Sequence, residues 1–215
     1  MLYSENEIRE QICLIGRRMY ERGMVAANDG NISVRLGAHE ILCTPTGVSK
    51  GYMTPDSLCV VDPEGNVIRS NGISKPSSEM KMHLRVFARR PDVNAVVHAH
   101  PPYATTFAIL EKPLDAPIMT EAVVAIGEVP LAPFATPSTS EVPDSIEPFL
   151  PDHHAVLLAH HGALTWAADL ETAYMHMETV ENYALQLYQT ALLGNVLGAS
   201  PLIRDEDVEK LRALR

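Results

Sequence analysis

The chain has 215 residues, 46% apolar and 20% charged, a balance that suits a substantial packed core and excludes a disordered chain. Seventeen Lys and Arg against 27 Asp and Glu leave a formal charge of −10 with histidine neutral, which argues against non-specific nucleic-acid binding and a polybasic membrane patch. No run is apolar for long enough to span a bilayer, the first residues lack the pattern of a signal peptide, and Cys13, Cys43 and Cys59 show no CxxC spacing, so a cytoplasmic protein with reduced thiols is expected.

Ser4 caps a predicted helix running to about Arg22, with Glu7 three residues after the cap and Ile8, Ile12, Ile15 and Met19 on one face. Gly23 ends it. Asn31 to Arg35 and Glu40 to Cys43 read as a hairpin around Gly37. Leu58 to Asp62 and Val67 to Arg69 form a second pair, turned by Pro63-Glu64-Gly65-Asn66. A helix is expected from Ser77 or Ser78 through Arg89, stopped by Pro91. The apolar run Asn94 to His98 fits a buried strand and Tyr103 to Leu110 a helix; further strands are expected near Val129-Leu131 and Ala155-Leu158. Pro130 to Pro151 reads as an ordered loop with a short helix in it, and a long helix should run from Asp169 to about Leu193, ending before Gly194. Hairpins followed by helices suggest a mostly antiparallel sheet with helices on its faces, in one domain over residues 1–215.

Nine histidines are present, and their placement is informative. In Val96-Val97-His98-Ala99-His100 the two imidazoles stand at i and i+2 at the end of an apolar strand, on the same side of an extended backbone. Leu157-Leu158-Ala159-His160-His161-Gly162 brings further histidines to the mouth of another apolar strand. Three converging histidines would make an open tetrahedral metal site, although any one taken alone reads better as a hydrogen-bonded residue at a strand end. Pro76-Ser77-Ser78-Glu79 reads as a helix start, and also as an anion site of hydroxyls and free N–H groups with an acid beside it. Asn28-Asp29-Gly30-Asn31 and Thr44-Pro45-Thr46-Gly47 are turn-forming loops that also offer donors of the kind that cradle phosphate.

Gly30-Asn31-Ile32-Ser33-Val34-Arg35, Thr44-Pro45-Thr46-Gly47, Pro76-Ser77-Ser78-Glu79, His98-Ala99-His100, Ala132-Pro133-Phe134-Ala135-Thr136 and His160-His161-Gly162 follow one another in the order and spacing of the class II aldolase/adducin family. The resemblance runs from about residue 5 to 193. It implies a three-layer α/β/α fold with a central, mainly antiparallel sheet. It implies a zinc ion on His98, His100 and His161, with other divalent metals also suited to such ligands, and Glu79 as catalytic acid/base. It implies a substrate phosphate held by Gly30, Asn31, Thr46, Gly47, Ser77 and Ser78. The expected activity is cleavage of a small phosphorylated sugar, a ketose 1-phosphate, to dihydroxyacetone phosphate and an aldehyde, in a homotetramer. Alternatives on the same scaffold are a sugar-phosphate 4-epimerase, a dehydratase, a decarboxylase or a non-enzymatic binding module. The sequence departs from the family's aldolases at one expected tyrosine, where Met119-Thr120-Glu121 stands, and no tail tyrosine follows Asp205-Glu206-Asp207-Val208.

Overall fold

The computed structural model describes residues 3–214. Helix α1 spans Glu5–Glu21 behind the expected capping box: Ser4 N donates to Glu7 Oε2 at 2.7 Å and Glu7 N to Ser4 Oγ at 3.4 Å. Strands β1 (Asn31–Gly37) and β2 (Glu40–Cys43) form the first hairpin, and β3 (Cys59–Val61) and β4 (Val67–Arg69) the second. Then come α2 (Met80–Arg89), β5 (Ala95–Ala99), α3 (Pro102–Ile109) and α4 (Thr120–Ala125). A two-residue strand β6 (Leu131–Ala132), helix α5 (Glu141–Ile146) and strand β7 (Ala155–Leu158) follow. The chain closes with β8 (Gly162–Ala167), α6 (Leu170–Leu197) and α7 (Asp205–Arg212).

The strands form one sheet in the order β4-β3-β2-β1-β5-β8-β7-β6, antiparallel throughout except where β6 runs parallel to β7. Both faces are covered, which gives the three layers. Alternate side chains explain the sorting. Leu42, Val60, Val97 and Leu157 face α1, α3 and α6, in a core with Ile12, Ile15, Ala104 and Met177. Their neighbours Ile41, Val61, Val96 and Val156 face α2 and α5, in a second core with Met82, Val86, Ile146 and Trp166. Among the described residues no helix is long and apolar enough to cross a membrane.

Two helix expectations are corrected, and one strand had not been expected. The helix expected from Ser77 or Ser78 begins at Met80, with Glu79 in the cap position and no side-chain cap bond. The residues before it are tied to the loop after β2: Thr46 N donates to Lys75 O at 2.9 Å and Ser77 N to Thr44 O at 3.2 Å, so the backbone there is extended rather than helical. The long helix runs through Gly194 and ends at Gly198, whose φ of +64° supplies the left-handed cap. A glycine inside a helix costs only about 1 kcal/mol relative to alanine, and 24 residues of α6 precede Gly194, so it does not act as a stop. Strand β8 was not anticipated, and it lies near the middle of the sheet between β5 and β7. Its sequence, Gly-Ala-Leu-Thr-Trp-Ala, is buried throughout and shows no alternation to mark it.

Candidate metal centre and anion pocket

The sheet topology brings the chemical groups to one end. Strands β5 and β8 are antiparallel, with Ala99 opposite Ala163, so the end of β5 meets the beginning of β8. His98 and His100 stand at the first, and His161 in the tight turn before the second. In that turn His161 N donates to Leu158 O at 2.9 Å. His160 takes the left-handed conformation at φ +56°, which sends the two adjacent histidines apart. A Cβ on Gly162 would strike the Ala99 carbonyl oxygen and come within 2.7 Å of His100 Cδ2, so only glycine lets the strands close behind the imidazoles. Asn31, at the start of β1, lies opposite His98, which draws the Asn28–Asn31 loop to the same end.

The three rings of His98, His100 and His161 have centroids 4.8–4.9 Å apart. One ligand atom from each lies within 4.8 Å of the others, and this is the one such group found among the described residues. His98 Nδ1 lies 2.9 Å from the Ala163 carbonyl oxygen, and a carbonyl can only accept, so the proton is on Nδ1. His100 Nδ1 lies 3.3 Å from Asp29 Oδ2, which places its proton likewise. Both Nε2 atoms of the neutral rings then carry bare lone pairs, and they face each other at 3.1 Å. Two such lone pairs repel unless a cation stands between them. At the usual Zn–N distance, tetrahedral ligation puts nitrogens about 3.3 Å apart, so the donor set fits a divalent cation. His160 lies outside the group, its Nε2 3.3 Å from Glu111 and its ring against Phe134.

Glu79 completes the cluster. Its Oε1 lies 3.1 Å from His161 Nε2 and its Oε2 3.5 Å from His98 Nε2, while Asn31 Nδ2 donates to Oε2 at 2.8 Å. Burial drives His98 down to about 3 and lowers His100, which keeps both rings neutral at pH 7. Burial alone would raise Glu79, but the contacts with His161 and the Asn31 amide favour its ionised form and hold the carboxyl below the ordinary range, while His98, itself neutral, adds no charge. At neutral pH the pair is a neutral His98 beside an ionised Glu79, with His161 and Asn31 as the direct partners of the charge.

Beside the cluster lies a cavity of about 230 Å³ lined by Gly30, Asn31, Thr46, Ser77, Ser78, Glu79, His100 and His161 among others. Gly47 stands next to this lining rather than in it, at φ +71°. Asn31 is 1% exposed, and its amide donates to Ser77 Oγ at 3.2 Å as well as to Glu79, so it ties the serine loop to the carboxylate. Ser77 Oγ also accepts from Glu79 N at 3.3 Å. Two further charged residues line it: Asp29, read from the sequence only as part of a turn-forming loop, and Lys50, not singled out there. Asp29 fixes the His100 ring. Lys50 is a fully buried cation whose Nζ donates to Asn28 O at 2.8 Å and Val48 O at 2.7 Å. A single acid or lysine in a Gly-rich loop looks like a solvated surface charge, so nothing local marks either one. A larger cavity of about 380 Å³, lined by Asp115, His153, Tyr183 and Arg212 among others, shares no lining residue with the His98, His100 and His161 cluster.

Residues 10–188 match the family model for the class II aldolase and adducin N-terminal domain. The chain is 33% identical over 170 residues to an L-fuculose phosphate aldolase of Methanococcus maripaludis, covering 79% of this chain and 90% of that protein. It is also 33% identical over 180 residues to a 3-oxo-tetronate 4-phosphate decarboxylase of Haemophilus influenzae, covering 82% of this chain and 84% of the relative. Among solved structures, YgbL of Klebsiella pneumoniae superposes with a TM-score of 0.88 at 28% identity, over 98% of this chain and 100% of that one. Its description leaves the activity among aldolase, epimerase and decarboxylase.

Proposed function

This chain belongs to the class II aldolase and adducin family, and on that premise we propose that it is a divalent-metal-dependent aldolase acting on a small phosphorylated sugar. The substrate is a ketose 1-phosphate, L-fuculose 1-phosphate or a related deoxyketose 1-phosphate, and the products are dihydroxyacetone phosphate and an aldehyde. The protein acts in the cytoplasm as a homotetramer. The single observation that carries the reading is the pair of bare Nε2 atoms of His98 and His100, 3.1 Å apart, with His161 closing the third side.

His98, His100 and His161 would hold the cation, zinc by ligand type, with Co²⁺, Ni²⁺ or Mn²⁺ also accommodated. When bound, it supplies a Lewis acid that takes up negative charge developing on the substrate's carbonyl oxygen. Glu79 moves the proton. Its carboxylate is ionised and held by the Asn31 amide, so it is set to remove a proton from the carbon next to the carbonyl in the synthetic direction. In cleavage the same carboxylate must first take up a proton from solvent, and its protonated form then delivers one to that carbon. Asn31 and Ser77 keep Glu79 from rotating away, and the Thr46, Ser77 and Ser78 hydroxyls with nearby backbone amides hold the phosphate.

A second reading has its own support. Retro-aldol cleavage must also take a proton from the departing hydroxyl, and Met119 cannot do so where the family's aldolases carry a tyrosine. Loss of CO₂ from a 3-oxo acid phosphate needs no such step, yet still requires a proton on the same carbon. The relative from Haemophilus influenzae is named for that reaction. A panel of ketose 1-phosphates and a 3-oxo-tetronate 4-phosphate, each assayed separately and scored for aldehyde and for CO₂, separates the two. Release of an aldehyde from a ketose 1-phosphate supports the aldolase; the decarboxylation also leaves dihydroxyacetone phosphate, so CO₂ from the 3-oxo acid with no aldehyde from any ketose 1-phosphate overturns it. With whichever substrate turns over, Glu79→Gln should keep the metal and lose ~10²–10⁴-fold in kcat; near-native turnover would show that Glu79 is only a residue at a helix start.

A further inference from the structure

Lys50 lies on a short 3₁₀ turn, Lys50–Tyr52, packed against α1. The packing is close, since a Cβ on Gly16 would come within 2.8 Å of the Lys50 carbonyl oxygen. This pins the backbone and directs the side chain inward, where it is 1% exposed. Its ammonium bridges the two loops on either side of the cavity, through Asn28 O on one and Val48 O on the other. Two carbonyls use two of the three N–H donors, and the third has no acceptor among the described residues.

A buried ammonium costs several kcal/mol unless its charge is matched. Two backbone carbonyls supply partial charge and no counter-ion. Lys50 makes no salt bridge among the described residues; burial pushes it down to about 8, partly opposed by the nearby Asp29 and Glu79, so it is still charged at pH 7. Asp29 is engaged with His100, and Glu79 with His161 and Asn31. The cation also lines the same cavity as Thr46, Ser77 and Ser78. A merely structural link between two carbonyls could be made by a neutral amide or hydroxyl at less cost.

We propose that Lys50 is the cationic positioning residue of the anion pocket: it clamps the Asn28–Asn31 and Thr44–Val48 loops at a fixed separation and gives its remaining N–H to the substrate's phosphate. This rests on the phosphorylated-substrate reading above. It also explains how a chain of net charge −10 admits a dianion. The surface repels phosphate, while one buried charge and the surrounding N–H and O–H donors receive it.

The test uses the metal-loaded protein and inorganic phosphate as the probe, with affinity read by calorimetry. Lys50→Gln keeps two N–H donors for the loop carbonyls and removes the charge. It should fold, retain its metal, and bind phosphate at least ~10-fold more weakly, as expected for a lost charge-assisted hydrogen bond. With a phosphorylated substrate the loss should fall on KM more than on kcat. Native-like phosphate affinity in Lys50→Gln would overturn the role of Lys50 while leaving the phosphorylated-substrate reading intact. Native protein that binds no phosphate would overturn both. Should the variant not fold, the native protein decides: the Lys50 ammonium resonance must shift on phosphate addition, and an unmoved signal sinks the proposal.

Discussion

His98 and His100 are held through Nδ1, by a carbonyl and by a carboxylate, and this is why their other nitrogens converge. Holding of this kind fixes both tautomer and ring orientation, so each imidazole is prepared for a cation before one arrives. His98→Ala, His100→Ala and His161→Ala should each lose most of roughly one divalent ion per chain, measured by elemental analysis after gel filtration. His160→Ala should keep it, because that ring faces Glu111. Equal metal in the His160 and His161 variants would contradict the assignment. His83 is a different kind of histidine, fully buried with Nδ1 2.7 Å from Ser33 Oγ. Burial lowers it to about 4, from about 6.5 for an ordinary histidine. Its unfolded form takes up a proton as pH falls below about 6.5 while the folded form stays neutral until about 4. Stability is therefore complete above that window and is lost on acidification through it. At about 1.4 kcal/mol per unit the loss is of order 3 kcal/mol. Metal-free protein should show a falling urea midpoint from pH 7 to 4.5, with a shallower fall in His83→Asn. An equal fall in both would show that His83 is not responsible.

The loop after β2 and the segment before α2 are zipped together by backbone hydrogen bonds and by an isolated bridge between Pro45 and Pro76. Thr46 and Ser77 thus face one cavity from two segments, but they do different work. The Ser77 hydroxyl accepts from Asn31 and from Glu79 N, so its loss loosens the carboxylate as well as the pocket. Ser77→Ala should raise KM for a phosphorylated substrate several-fold and also lower kcat. Thr46→Ala should act on KM alone, since it leaves Glu79 and its partners in place; a charge-assisted hydrogen bond is worth ~1.5–3 kcal/mol. Steady-state kinetics of the two variants checks this, and an unchanged KM in both would reduce the loops to ordinary turns. Strand β6 is the other instructive element. The strand expected near Val129-Leu131 is present only as Leu131–Ala132, because Val129 pairs instead with Leu114.

Over the molecule as a whole, the sheet buries both faces while the far end of α6 leaves apolar side chains in solvent. Leu192, Leu193, Val196 and Leu197 are between 55% and 80% exposed, and Tyr188 lies one turn before them at 45%. A contiguous patch of this kind marks a contact surface in a soluble protein. Light scattering should give the mass of a tetramer, and Leu193→Glu combined with Val196→Glu should lower the assembly state. A monomer in the native protein at micromolar concentration would contradict the expected homotetramer.

Most of the elements, the capping box of α1, both hairpins and the motif positions could be read from the sequence, because each rests on contacts within a few residues. Periodicity and turn chemistry are local properties, and they survive without knowledge of the fold. The position of β8 could not be read in this way. Its six residues are buried on both sides, so no alternation distinguishes them until β5 and β7 are in place. The start of α2 also depended on a distant loop, which takes up the backbone groups of Lys75 and Ser77. The same holds for the chemistry. His98, His100, His161 and Glu79 could be named from motifs, but the spacing of two bare nitrogens is set by Ala163 and Asp29, which lie 65 and 71 positions away in the chain. Lys50 is an ordinary loop lysine until α1 packs against its turn and presses the charge inward. Local sequence chose the residue types, and long-range packing decided which of them share one water-poor corner.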